Sequence, residues 1–262
     1  MIRKSPFWWS LYSAWELTCD QALPLCCRPA GSEKNFRPEN IFNPLYALPL
    51  WGAAAGLIAL IAGKILGTLL PVNGTALLFA LIITAAGELR TSGRGLALNV
   101  TFWESILTRH NFLQAQAGRQ DSLSRSNGLI PLLLAIAMLG GKFMLILMAS
   151  RSGHFGTASA AWVTALTAEA VMAAEPSAVK MPHFCRTART EYIAALGGFF
   201  LLFNLISLPL ATLITAGAAA ALTIVLMNVF LRKTGKIDSN DMTMIGYLLE
   251  TAVWFFMSIM IG

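Results

Sequence analysis

The sequence predicts an all-α fold, a polytopic transmembrane helical bundle with six or seven spans. Three observations predict it. Hydrophobic residues make up 56% of the 262 and charged residues only 12%, outside the usual balance of a water-soluble domain. Seven apolar runs approach the ~20 residues needed to cross hydrocarbon. The basic residues between those runs alternate in a way that orients a membrane protein.

The chain reads as a single integral membrane domain, 1–262, and no secretory signal opens it. Residues about 5–17 form an aromatic segment, with Phe7, Trp8, Trp9, Leu11, Tyr12 and Trp15 suited to the headgroup level. Candidate spans follow at about 46–70, 74–89, 128–149, 155–174, 192–208, 210–230 and 243–262. Pro209 interrupts the fifth and sixth, and one helix of their combined length would far overshoot a bilayer. The second run is short and the fourth is rich in alanine, so the count is six or seven. A long cytoplasmic loop is expected at about 90–127.

With the N-terminus inside, 16 of the 19 Lys and Arg residues fall in cytoplasmic segments. Only Arg151 falls on the opposite side, and Lys64 and Lys142 lie within spans. That asymmetry favours seven spans, with the N-terminus cytoplasmic and the C-terminus outside. The net charge of +6 therefore reads as topology, not as nucleic-acid binding. Membrane lipids are the expected partners, and a homo-oligomer stays open.

Cys19, Cys26, Cys27 and Cys185 show no zinc spacing and read as free thiols. The three histidines are scattered and form no metal constellation. Gly52 with Gly56, and Gly63 with Gly67, have the G-x-x-x-G spacing that lets helix backbones approach.

Lys142, Glu169 and Glu250 are charges placed inside spans, and each requires a partner or a wet interior. For Lys142 the alternatives are an ion pair with Glu169 or Glu250, a phosphate contact, or a structural role. Lys64, near a helix end, reads as snorkelling to the interface.

The order of these features resembles the cobalamin-5′-phosphate synthase (adenosylcobinamide-GDP ribazoletransferase) family over nearly the whole chain. After the aromatic segment, Pro49-Leu50-Trp51-Gly52 through Gly56 resembles the family's P-L-x-G-x-x-x-G. Asp121-Ser122 with Gly128 resembles its R-D-S-x-x-G-x-x-G turn, and Lys142 follows in the next span. "SNDMTMIGYLLE", with Asp241, Gly246 and Glu250, resembles the terminal acidic helix. The family's aspartate-rich motif is not kept. Arg94-Gly95-Leu96-Ala97 stands under D-G-L-A, Leu98 and Thr101 replace the later aspartates, and the histidine is missing.

The resemblance implies transfer of cobinamide phosphate from adenosylcobinamide-GDP, a corrinoid nucleotide substrate, to α-ribazole or its phosphate. It implies a Mg²⁺ ion, held by Asp121, Glu104 and Asp241. Asp121, Glu104, Lys142 and Glu250 are then the catalytic candidates, and Arg94, Arg119, Arg125 and Ser122 the substrate-phosphate contacts. An arginine at position 94 matches phosphate oxygens but holds no metal. The stretch "ELRTSGRGLALN", 88–99, is either a cationic stop signal or a remodelled phosphate-binding loop. Two rival readings are a non-catalytic homologue binding a corrinoid, lipid or partner, and a small transporter.

Overall fold

In a computed structural model, the described residues are 44–90, 94–107, 129–174, 188–203, 209–234 and 239–261. A 3-10 turn, Pro44–Tyr46, leads into α1 (Ala47–Leu69), followed by α2 (Val72–Arg90), α3 (Arg94–Leu107) and α4 (Leu129–Arg151). Then come α5 (Thr157–Ala174), α6 (Thr190–Phe203), α7 (Pro209–Thr234) and α8 (Ser239–Ile261). All regular structure among the described residues is helical. The aromatic segment at about 5–17 and the four cysteines lie outside the described residues.

Each of the seven apolar runs overlaps a helix. Three of them, α1, α4 and the Met242–Met260 part of α8, are long and apolar enough to cross a membrane. Pro209 separates α6 from α7 by standing at the first position of α7, where its missing N–H is no loss. One helix was not expected. Residues 94–107 fall in the interval read as a cytoplasmic loop, yet they form α3, packed against α4 and α8. The polar residues that made this stretch read as a loop include Asn99, which is buried in the folded chain.

The centre of the bundle is α5. Fifteen of its eighteen residues are buried, which requires neighbours on every side, and its alanines leave room for them. α1 packs along it, and α8 makes its most extensive contact with it. The glycines of α1 make the close approach possible. A Cβ added at Gly52 would stand 2.8 Å from the Trp162 carbonyl oxygen, one at Gly56 would overlap Ser159, and one at Gly63 would overlap the Phe155 ring. Helix packing through small residues is thus the role of this stripe, although Gly67 meets only the Thr75 methyl at 4.0 Å.

The turns are short. Thr75 ties α1 to α2 by donating to the carbonyls of Leu66 and Leu70, at 3.1 and 3.2 Å. Between α4 and α5 the chain reverses at Gly153, whose φ of +77° suits a residue without Cβ.

Polarity is distributed inside out relative to a water-soluble bundle. Leu57, Ile58, Ile61 and Ile65 of α1 and Leu129, Ile130, Leu133 and Ile136 of α4 are exposed, whereas Lys142, Glu169 and Glu250 are buried. Exposed apolar helix faces of this kind suit hydrocarbon better than water.

Candidate functional site

The buried charges converge from different helices. Lys142 on α4 and Glu250 on α8 form an ion pair, Nζ to Oε1 at 2.9 Å, with side chains 1% and 0% exposed. Of the partners open to Lys142, the fold selects Glu250. The Trp162 indole on α5 donates to the same Oε1 at 3.2 Å. Lys142 Nζ also lies 4.3 Å from the centre of the Tyr247 ring, close enough for cation–π attraction.

Helix geometry explains the convergence. Tyr247 and Glu250 are three residues apart on α8 and so share a face, turned toward α4 and α5. The backbone of α2 closes the other side. A Cβ at Gly87 would stand 3.1 Å from Lys142 Nζ and 3.8 Å from Glu250 Oε1, so the glycine lets α2 lie directly against the pair.

The next residue, Glu88, links α2 to α3. Its Oε2 accepts the N–H of Leu96 at 3.3 Å, in the first turn of α3, where free amide hydrogens and the helix dipole favour a carboxylate. Gly95 is needed beneath it, because a Cβ there would stand 2.6 Å from the carboxylate. One turn further along α3, the Asn99 amide is 1% exposed and interacts with Tyr247, which also feels the charges of Glu88 and Glu250. Glu169, the alternative partner considered for Lys142, is packed instead on the backbone of α8 at Gly246.

Hydrogen bonding is incomplete. Glu250 Oε1 has two donors, but among the described residues Glu250 Oε2 has none. The same holds for the Tyr247 hydroxyl and both amide atoms of Asn99, which lie close together without an aligned hydrogen bond. Buried groups of this kind are ordinarily satisfied in folded proteins.

Of the residues singled out in the sequence, Lys142 and Glu250 are brought into contact across 108 positions. Arg94 opens α3, Glu104 lies within it, and Asp241 lies on the first turn of α8, nine residues before Glu250. Asp121, Ser122, Arg119 and Arg125 lie outside the described residues. Among the described residues no group of three or more His, Cys, Asp or Glu side chains is placed to hold a metal ion. Glu250 faces a lysine where an octahedral Mg²⁺ requires oxygen. The Lys142–Glu250 pair itself therefore offers no Mg²⁺ site.

Sequence reasoning missed Trp162, Tyr247 and Asn99. The Tyr247–Glu250 spacing was a usable signal for one of them. Trp162 and Asn99 become site residues only through helix packing.

Fold and site together define a helical bundle, apolar outside, with an ion pair at its centre and open hydrogen-bonding groups around it. No family model, curated protein or solved structure matches the chain.

Proposed function

We propose that the chain is a multi-pass membrane protein of the cobalamin-synthase type, with the Lys142–Glu250 pair at its reaction centre. The observation that carries this reading is the meeting of the two residues. They were drawn from separate elements of the resemblance, the lysine-bearing span and the terminal acidic helix, and they lie 2.9 Å apart. A buried charge pair among apolar helices is costly and marks a functional centre more often than a packing device.

The chain has six or seven spans in a bacterial inner membrane, with its N-terminus in the cytoplasm. Lys142 lies thirteen residues into α4 and Glu250 eleven into α8, about 16–20 Å from the helix starts at ~1.5 Å per residue. That depth is well inside a ~30 Å hydrocarbon core, the level at which a corrinoid held among the helices is shielded from water.

The chemistry follows from the two ends of the pair. Lys142 gives one N–H to Glu250 and keeps others for phosphoryl oxygens, where positive charge stabilises the in-line transition state. The hydroxyl oxygen of α-ribazole forms a bond to the phosphorus of cobinamide phosphate as the bond from that phosphorus to GMP breaks. The hydroxyl proton passes to Glu250 Oε2, the oxygen with an open acceptor site. GMP leaves with the bonding electrons. No step is assigned to a metal.

The second reading is a non-catalytic homologue. The mutual neutralisation of Lys142 and Glu250 favours it, since a lysine bound to a carboxylate offers less charge to phosphate.

Complementation of a bacterial strain lacking cobalamin synthase separates the two. The transferase reading predicts growth without added cobalamin, lost in Glu250→Gln and Lys142→Met at equal membrane abundance. Well-expressed wild-type protein that supports no growth overturns it in favour of the non-catalytic homologue.

A further inference from the structure

We infer that Trp162 is the positioning residue of the buried pair: its indole N–H fixes how the Glu250 carboxylate is turned, so that one oxygen is loaded with donors and the other is left to take a proton. Two donors meet on a single oxygen. Lys142 Nζ lies 2.9 Å and Trp162 Nε1 3.2 Å from Glu250 Oε1, and among the described residues Oε2 has no donor. A buried carboxylate ordinarily spreads its donors over both oxygens, because each of them accepts and an unserved one costs free energy. The one-sided arrangement therefore needs a cause.

Lysine alone does not supply it. An ammonium on a flexible stem is a point charge with three rotatable donors, and a carboxylate that faces it alone turns until the ammonium spans both oxygens. The indole has a single N–H, fixed in the plane of a rigid ring, and the helix that carries it is held firmly. Fifteen of the eighteen residues of α5 are buried, and α1 lies against the peptide of Trp162 itself. A Cβ added at Gly52 would stand 2.8 Å from the Trp162 carbonyl oxygen and 2.9 Å from Val163 Cα, and one at Gly56 would overlap Ser159, about one turn earlier on α5. The small-residue stripe of α1 thus sets the rotation of α5 that directs the indole to the pair formed by α4 and α8. Lys142 is kept on its own side by the Tyr247 ring, 4.3 Å from Nζ.

In the proposed reaction, on which the catalytic meaning of this assignment rests, the unloaded oxygen receives the hydroxyl proton. Proton transfer to a carboxylate depends on where its accepting oxygen is placed. Trp162 therefore acts through Glu250 on the chemical step and not on substrate affinity.

The test removes the indole N–H and keeps the ring. β-(3-Benzothienyl)alanine at position 162, introduced by nonsense suppression, preserves the bicycle and puts sulfur where the N–H stands. The full chain in phospholipid nanodiscs is supplied with adenosylcobinamide-GDP and α-ribazole. The inference predicts a kcat for GMP release lower by about tenfold or more, from loss of one hydrogen bond to a charged acceptor. KM for both substrates stays within about twofold, the pattern of an interaction that acts on the chemical step. Infrared difference spectra of the two proteins, isotope-labelled at their glutamate carboxyls, read the separation of the antisymmetric and symmetric carboxylate stretches. That separation is wide when one oxygen carries all the donors, and it is predicted to narrow in the analogue protein as the ammonium spans both; an indole that only packs leaves it unchanged. Analogue protein with the wild-type kcat or the wild-type separation overturns the inference. Wild-type protein that releases no GMP removes the transferase reading instead, and the infrared separation then decides the orientation of Glu250 by itself: narrowing sustains the role of Trp162 and no change overturns it.

Discussion

Lys142→Met is the perturbation with the most informative outcome. Methionine keeps the length and apolar stem of lysine, so packing against Gly87 and the Tyr247 ring persists while the charge is removed. Glu250 is left 0% exposed and, among the described residues, with only the Trp162 N–H, at 3.2 Å, on its carboxylate. Breaking a buried pair from one side typically costs about 3–5 kcal/mol, because the remaining charge has no compensation. Loss of the cation–π contact at 4.3 Å adds about 0.5–2 kcal/mol. Glu250→Gln, which retains an acceptor for Trp162, strands the lysine at a similar cost. The double variant Lys142→Met/Glu250→Gln removes both charges and is expected within about 1 kcal/mol of wild type, since replacing buried pairs is often neutral. The three variants form a double-mutant cycle with a coupling energy of roughly 3 kcal/mol or more. Reversible unfolding by SDS in mixed lipid–detergent micelles, followed by near-ultraviolet circular dichroism, measures it. A single variant within about 0.5 kcal/mol of wild type, the range of ordinary surface changes, refutes the reasoning. So does a double variant as unstable as the sum of the singles.

Three further outcomes are expected. Trp162→Phe removes a hydrogen bond to a charged acceptor and is predicted to lower stability by about 1.5–3 kcal/mol in the same titration; no loss would show that the indole N–H does not hold Glu250. Gly56→Ala places a methyl against the Ser159 backbone, where neither helix yields easily, and is predicted to cost about 1–3 kcal/mol; an unchanged midpoint would show that α1 and α5 do not meet there. In a background without native cysteines, Ser152→Cys is predicted to react with a membrane-impermeant maleimide in whole cells and Ser239→Cys only after permeabilisation; equal labelling of both contradicts the proposed orientation.

The helices of this protein were easier to read than its site. Runs such as 128–149 announce themselves because hydrocarbon demands ~20 apolar residues, and the corresponding helix, Leu129–Arg151, differs by one or two residues at each end. Pro209 likewise marked the start of α7 through its chemistry. α3 was hidden because Arg94, Gly95, Asn99 and Thr101 look like loop residues in sequence, and the helix they form is seen only when it packs on α4 and α8. Burial cost alone required that Lys142 and Glu250 have partners. It could not choose between Glu169 and Glu250, a choice made by the approach of α8 to α4 and α5. Trp162 and Asn99 carry polar atoms that the sequence ties to no partner, and only tertiary contact distinguishes them from interfacial or packing residues.

The buried pair is proposed to conduct group transfer. Its most direct test is release of GMP by purified full-length protein in nanodiscs supplied with adenosylcobinamide-GDP and α-ribazole. Release that requires both substrates, yields the joined corrinoid product in equal amount and disappears in Glu250→Gln is the predicted result. Folded wild-type protein that releases no GMP, or Glu250→Gln protein that releases it at the wild-type rate, contradicts the claim.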